Sequence, residues 1–265
     1  MRKVKDTVKK VLSHLDIIDP FRKPFKLIEF ETNTFCNRKC IYCPDSKYQR
    51  VGDEDGKFMR EVVFEKLIKD LSEMNFKGLI APHLYGEPLT DPRLTNWISR
   101  IRTVLPESTI KVVTNGDLLN RKKYNELINA GVNYFYVSKH SPELSKGVID
   151  ILNSVTDIER KKRIRILDFY EDYRNEQRML NTRGGDVKLK KKLRHPINCL
   201  YVTYPVINTF GDMILCCNDF HSKYTSGNIK ERSLIDIWQD PQNIKLRKRV
   251  YRGYYDLPIC QNCWD

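Results

Sequence analysis

Eight cysteines among 265 residues constrain this chain more than any other feature. They are Cys36, Cys40, Cys43, Cys199, Cys216, Cys217, Cys260 and Cys263, and their spacing is uneven. Cys36-x3-Cys40-x2-Cys43 is a tight triplet. Cys199 is followed by eleven residues, then Gly211, four more residues and Cys216, and Cys260-x2-Cys263 comes last. Seven of the eight therefore divide into a three and a four, with Cys217 left over. A disulfide framework does not suit such a chain. The first 20 residues hold no continuous apolar core, so they are not read as a secretory signal. Asp6 and Asp16 argue against a mitochondrial presequence. A cytoplasmic location is expected, where thiols stay reduced and clustered cysteines serve metal binding or catalysis.

Thiolates at this spacing hold Zn²⁺ or an iron–sulfur cluster. Zinc ribbons usually pair one C-x2-C with another, whereas the first set here is an odd number of ligands. Three cysteines on a cubane leave one iron open to a small molecule. Four cysteines close their metal completely, which suits structure or electron transfer. Two zinc sites, or one zinc site with free core cysteines, stand as the alternative.

Hydrophobic residues make up 40% of the chain, enough for one large domain or a domain with a small appendage. No stretch approaches the roughly 18 to 20 apolar residues of a membrane span, so no membrane partner is expected. The net charge of +13 suits an acidic electron donor or an anionic substrate without selecting a function. Basic stretches at Lys161–Arg165, Lys188–Arg194 and Lys245–Arg252 raise nucleic acid as a partner. They lack interleaved aromatics and read as solvated faces, so nucleic acid is not expected.

Apolar periodicity predicts strands at Leu27–Glu31, Gly78–Leu84, Thr109–Thr114, Val132–Ser138 and Ile164–Phe169. It predicts helices at Arg60–Met74, Pro92–Leu105, Tyr124–Ala130 and Pro142–Asn153. This alternation predicts an α/β fold, a parallel sheet with helices outside it, closed as a partial barrel of five or six units. In such folds chemistry sits at the C-terminal strand ends. Cys36–Cys43, Tyr85-Gly86-Glu87-Pro88, Asn115-Gly116-Asp117 and Ser138-Lys139-His140 follow the first four strands in turn, so these loops are expected to form one site. Residues 1–24 read as a basic amphipathic helix, 25–185 as the barrel and 186–265 as a small C-terminal domain. In that domain Tyr201–Phe210 and Met213–Cys217 predict a hairpin turned at Gly211-Asp212, followed by a helix capped by Ser233 and a basic helix at Pro241–Tyr251.

With the triplet after the first strand, Tyr-Gly-Glu-Pro at 85–88 and Thr-Asn-Gly at 114–116, the chain resembles the radical S-adenosylmethionine (SAM) enzymes. The resemblance implies a partial (β/α)6-type barrel. It implies a [4Fe–4S] cluster on Cys36, Cys40 and Cys43 whose open iron binds SAM. It sets Tyr42 beside the adenine, and Gly86, Glu87 and Pro88 at the SAM amino group. Asn115 and Ser138 end the next strands, with Ser138 a candidate contact for a ribose hydroxyl. The tail resembles the first half of a SPASM domain, a form called twitch, a small β-hairpin-plus-helix domain. That implies a second [4Fe–4S] cluster on Cys199, Cys216, Cys260 and Cys263, with Cys217 a packed free thiol. Arg183-Gly184-Gly185, Asn218-Asp219-Phe220, Gly227-Asn228-Ile229 and Asp236-Ile237-Trp238 are similar to strings in radical SAM dehydrogenases of aminocyclitols, except that Asn218 stands where a Glu is found. Arg183, His140, Asn218 and Asp219 are the candidate substrate face, and His83 lies near the site. The implied reaction is oxidation of a secondary alcohol to a ketone; the alternative is modification of a ribosomal peptide. The implied partners are a small-molecule substrate (aminocyclitol, sugar or peptide) and an external electron donor such as flavodoxin or ferredoxin.

Overall fold

The strands Leu27–Phe30 (β1), Leu79–Ala81 (β2), Thr109–Thr114 (β3), Tyr134–Lys139 (β4) and Ile164–Asp168 (β5) pair in parallel, in sequence order. The computed structural model describes residues 21, 24–48, 58–175, 181–188 and 195–264. All but residues 21 and 24 of the basic helix expected over 1–24, and all but Lys188 of Lys188–Arg194, lie outside the described residues. Helices Glu61–Glu73 (α1), Leu94–Val104 (α2), Arg121–Ala130 (α3) and Lys146–Ser154 (α4) connect the strands, and Asp157–Arg163 (α5) leads into β5. The second strand is shorter than its apolar run suggests, because Pro82 follows Ala81 and has no N–H to give a ladder.

A sixth parallel strand comes from farther along the chain. Val206–Ile207 (β6) pairs with β1, Glu29 opposite Val206 and Phe30 opposite Ile207. It turns back through Asp212–Ile214 (β7), which pairs with Thr225–Asn228 (β8), both antiparallel. The sheet order is therefore β5-β4-β3-β2-β1-β6-β7-β8. The expected hairpin at Gly211 forms, but as a continuation of the barrel sheet. Gly211 takes a φ of 91°, open to a residue without a Cβ, while Asn208 Oδ1 accepts from the N–H groups of Phe210 and Asp212. After Phe169–Asn175 (α6) come the α-helices Leu234–Trp238 (α7), Pro241–Tyr251 (α8) and Pro258–Asn262 (α9) among the described residues. Ser233 caps α7 by accepting from Asp236 N, as its sequence position predicts.

Side chains alternate across each strand, and the two faces differ. Ile28 and Phe30 of β1, Ile110 and Val112 of β3 and Phe135 and Val137 of β4 are buried against the outer helices. There Phe64 of α1 and Trp97 of α2 stack at 4.0 Å, both fully buried. Burial of each such ring contributes roughly 2–3 kcal/mol. The opposite face carries Glu29, Lys111, Tyr134, Tyr136 and Ser138. A polar inner face is what a barrel needs when its interior holds a ligand.

Candidate active site

A cavity of about 290 Å³ opens at the C-terminal ends of β1–β4. All four strand-end loops reach it, through Cys36, Cys40 and Cys43, Gly86 to Pro88, Asn115, and Ser138 with His140. The loops singled out by sequence therefore do converge. A wider groove along α8 is lined by Lys245, Lys248, Arg249 and Arg252, and by no strand-end residue among the described residues.

The triplet loop is held by pairings distant in sequence. Arg38 forks onto Asp117, with Nη2 at 2.5 Å from Oδ1 and Nε at 2.6 Å from Oδ2. This ties the loop after β1 to the loop after β3, and Asn37 Nδ2 adds a bond to Asp117 Oδ2. Cys43 N donates to Cys40 O at 2.9 Å, and Arg38 N lies 3.4 Å from Cys36 Sγ. Burial pushes all three thiols up, Cys40 to about 11, so metal must supply the charge that holds them as thiolates. Among the described residues, no three His, Cys, Asp or Glu side chains close on a single ion. A cubane binds each thiolate to a different iron, so its sulfurs stand farther apart than the ligands of one zinc. The donor set fits a cluster.

Gly86 leaves no room for a side chain, since a Cβ would meet Asn33 O at 1.9 Å. The Glu87 carboxylate accepts from Thr114 Oγ1 at 2.6 Å, Asn115 N at 2.8 Å and Leu89 N at 3.1 Å. Its burial pushes its pKa up to about 7. That carboxylate locks the Gly-Glu-Pro turn to the end of β3. Tyr42, between two cysteines of the triplet, lies with its hydroxyl 2.6 Å from His140 Nδ1 and packs near Phe169 and Tyr173. Burial, aided by the Arg38 charge, lowers His140 to about 4, so its ring is neutral at pH 7. Ser138 is buried at the end of β4 and lines the cavity.

The second set, Cys199, Cys216, Cys260 and Cys263, is buried and lines a separate small cavity. Burial pushes these thiols up as well, Cys260 to about 12 and Cys263 to about 11. The Arg-Gly-Gly turn links the two cavities. Arg183 has a φ of 53°, and a Cβ on Gly184 would meet Ile259 at 2.6 Å. Arg183 lines the first cavity and donates from Nη1 to Asn218 Oδ1 at 3.1 Å. Asn218 in turn donates from Nδ2 to Cys263 Sγ at 3.5 Å. Asp219 turns away into its own loop, where it accepts from Lys223 N and Tyr224 N.

Several lining residues escape sequence reasoning. Cys217 faces the first cavity, with Tyr204 Oη donating toward its Sγ at 3.7 Å. Tyr201 and Glu29 also line it, beside Tyr85 of the Tyr-Gly-Glu-Pro loop that the sequence did mark. Of Tyr201, Tyr204 and Glu29, only Glu29 leaves a trace in the sequence: it alternates with Glu31 in the otherwise apolar run Leu-Ile-Glu-Phe-Glu.

A partial parallel barrel with an open three-cysteine loop at its mouth and a buried four-cysteine set behind it defines a class of redox enzyme. Residues 30–176 match the model of the radical SAM superfamily, and residues 199–264 match that of SPASM, an iron-sulfur cluster-binding domain. The chain belongs to the radical SAM superfamily, as an oxidoreductase that uses SAM and two iron–sulfur clusters. It is 32% identical over 248 residues to the S-adenosyl-L-methionine-dependent 2-deoxy-scyllo-inosamine dehydrogenase of Niallia circulans, covering 91% of this chain and 93% of that protein. The crystal structure of BtrN in complex with AdoMet and 2-DOIA superposes with a TM-score of 0.80 at 28% identity, covering 92% of this chain and 94% of that one. An open conformation of BtrN gives 0.70 at 26% identity, with 94% of each chain covered. The present structure is thus nearer to the ligand-bound form. Among the described residues no helix is long and apolar enough to cross a membrane.

Proposed function

We propose that this enzyme oxidises a secondary alcohol of a cyclitol ring to a ketone. The observation that carries this reading is the Arg183–Asn218–Cys263 connection between the ligand cavity and the second cysteine set. When bound, SAM on the first cluster supplies hydrogen abstraction and the second cluster supplies one-electron acceptance. Cys36, Cys40 and Cys43 would hold the first cluster, and Cys199, Cys216, Cys260 and Cys263 the second. Gly86, with no side chain, lets the backbone of the Gly-Glu-Pro turn approach SAM closely. Glu87 fixes that turn, with Pro88, against Asn115. Tyr42, oriented by His140, gives a flat face for adenine, and Ser138 a hydroxyl for the ribose. Arg183 orients the substrate oxygen through its remaining donors and holds it near Asn218. Loss of a hydrogen atom, a proton and an electron from the carbinol balances formation of the ketone.

In this reading residues 25–185 serve the radical chemistry and 186–265 house the second cluster, with an N-terminal segment at 1–24. An acidic flavodoxin or ferredoxin in the cytoplasm supplies the electrons, drawn by the net charge of +13. The test is anaerobic reconstitution with iron and sulfide, then incubation with SAM, reductant and 2-deoxy-scyllo-inosamine. About eight Fe per chain is expected for two cubanes, with ketone formed in step with 5′-deoxyadenosine. SAM cleavage without any ketone from this or related cyclitols would overturn the reading.

A further inference from the structure

Glu29 differs from the other acids around the cavity. It is 7% exposed and lines the cavity, yet no hydrogen bond or ion pair reaches its carboxylate among the described residues. Glu87 is held by three donors, and Glu31 accepts from Tyr85 N and Gly86 N. The register accounts for the difference. Glu29 pairs with Ala81, and Ile80 pairs with Ile110, so Glu29, Ala81 and Lys111 share one row of the sheet. Two strand spacings, roughly 9–10 Å, separate Glu29 from Lys111, and the small Ala81 stands between them. Lys111 is felt as a charge but does not reach as a partner. Arg183 also contributes charge, but its guanidinium is bonded to Asn218.

A buried carboxylate without a donor is costly, and burial raises the Glu29 pKa to about 7 despite both cations. A ligand cation would remove that cost. Charge-assisted hydrogen bonds are roughly twice as strong as neutral ones. The aromatic rings of Tyr85, Tyr201 and Tyr204 line the same cavity, and aromatic faces attract ammonium groups. The Tyr204 hydroxyl is directed to Cys217 and leaves the carboxylate free.

We propose that Glu29 is the docking group for a protonated amine on the substrate ring, which selects amine-bearing cyclitols over cyclitols with a hydroxyl in that place. The assignment rests on the reading of the enzyme as a cyclitol dehydrogenase.

Calorimetry on the SAM-loaded holoenzyme, without reductant, tests it. The two probes are 2-deoxy-scyllo-inosamine and the matching deoxyinositol, in which a hydroxyl replaces the amine. Wild type is expected to prefer the amine by roughly tenfold or more, and Glu29→Gln to bring the two rings to about equal affinity. Equal affinities in wild type overturn the assignment whatever the variant does, and so does a preference that persists in Glu29→Gln. If wild type binds both rings equally and oxidises both, the amine assignment falls and the dehydrogenase reading stands. If neither ring binds, both fall.

Discussion

Arg183 Nη1 donates to Asn218 Oδ1 at 3.1 Å, and the other end of that amide donates to Cys263 Sγ at 3.5 Å. One side chain thus touches both a residue that lines the first cavity and a residue of the second cysteine set. A donor to a cysteine sulfur stabilises the reduced, more negative state of a cluster and raises its potential. Asn218→Ala is therefore expected to lower the potential of the second cluster and slow ketone formation, while SAM cleavage continues. A redox titration followed by electron paramagnetic resonance reads the first effect. An unchanged potential would remove Asn218 from any electronic role.

Arg183→Lys should not be tolerated. Lysine keeps the charge but lacks the planar fork that can serve Asn218 and a substrate oxygen together. Losing one charge-assisted hydrogen bond costs about 1.5–3 kcal/mol, so kcat/KM for ketone formation is expected to fall by roughly 10- to 150-fold. Steady-state assays at saturating SAM measure it. A fall confined to KM would assign Arg183 to binding alone.

Gly86→Ala tests the close approach at the Gly-Glu-Pro turn. The added methyl would lie 1.9 Å from Asn33 O, so the backbone must move. Overpacking of this kind costs about 1–3 kcal/mol, and SAM affinity is expected to fall with it. Equilibrium dialysis with labelled SAM reports the loss. An unaltered affinity would mean that the turn does not approach the cofactor.

The legible parts of this fold were those written in local periodicity. Thr109–Thr114 forms a strand with the bounds its alternation predicts, and α8 spans Pro241–Tyr251 as predicted. What escaped depends on contacts remote in sequence. Thr225–Asn228 has no apolar residue to mark a strand, and it becomes β8 by pairing with β7. Val206–Ile207 reads as part of a separate hairpin; it pairs with β7 in that hairpin and also with β1, far back in the chain. At the site, the cysteines, the Gly-Glu-Pro turn and Arg183 were marked by spacing and motif. The Arg38–Asp117 clamp and the isolation of Glu29 were not, since one depends on the meeting of two loops and the other on the register of three strands.

Glu29 also gives the fold a pH dependence with a defined sign. Burial raises its pKa from 4.5 to about 7, so the folded chain binds its proton more tightly than the unfolded chain does. The stability it contributes is present in full below pH 4.5 and is lost as pH rises through 7. The loss amounts to roughly 3 kcal/mol by pH 8. Glu29→Gln keeps the shape and removes the titration. The variant and wild type should therefore unfold at similar midpoints near pH 4.5, and the variant should be the more stable at pH 8. Anaerobic thermal melts of both proteins at the two pH values give the comparison. A stability difference that stays constant with pH would show that the Glu29 carboxylate already has a partner in the folded chain.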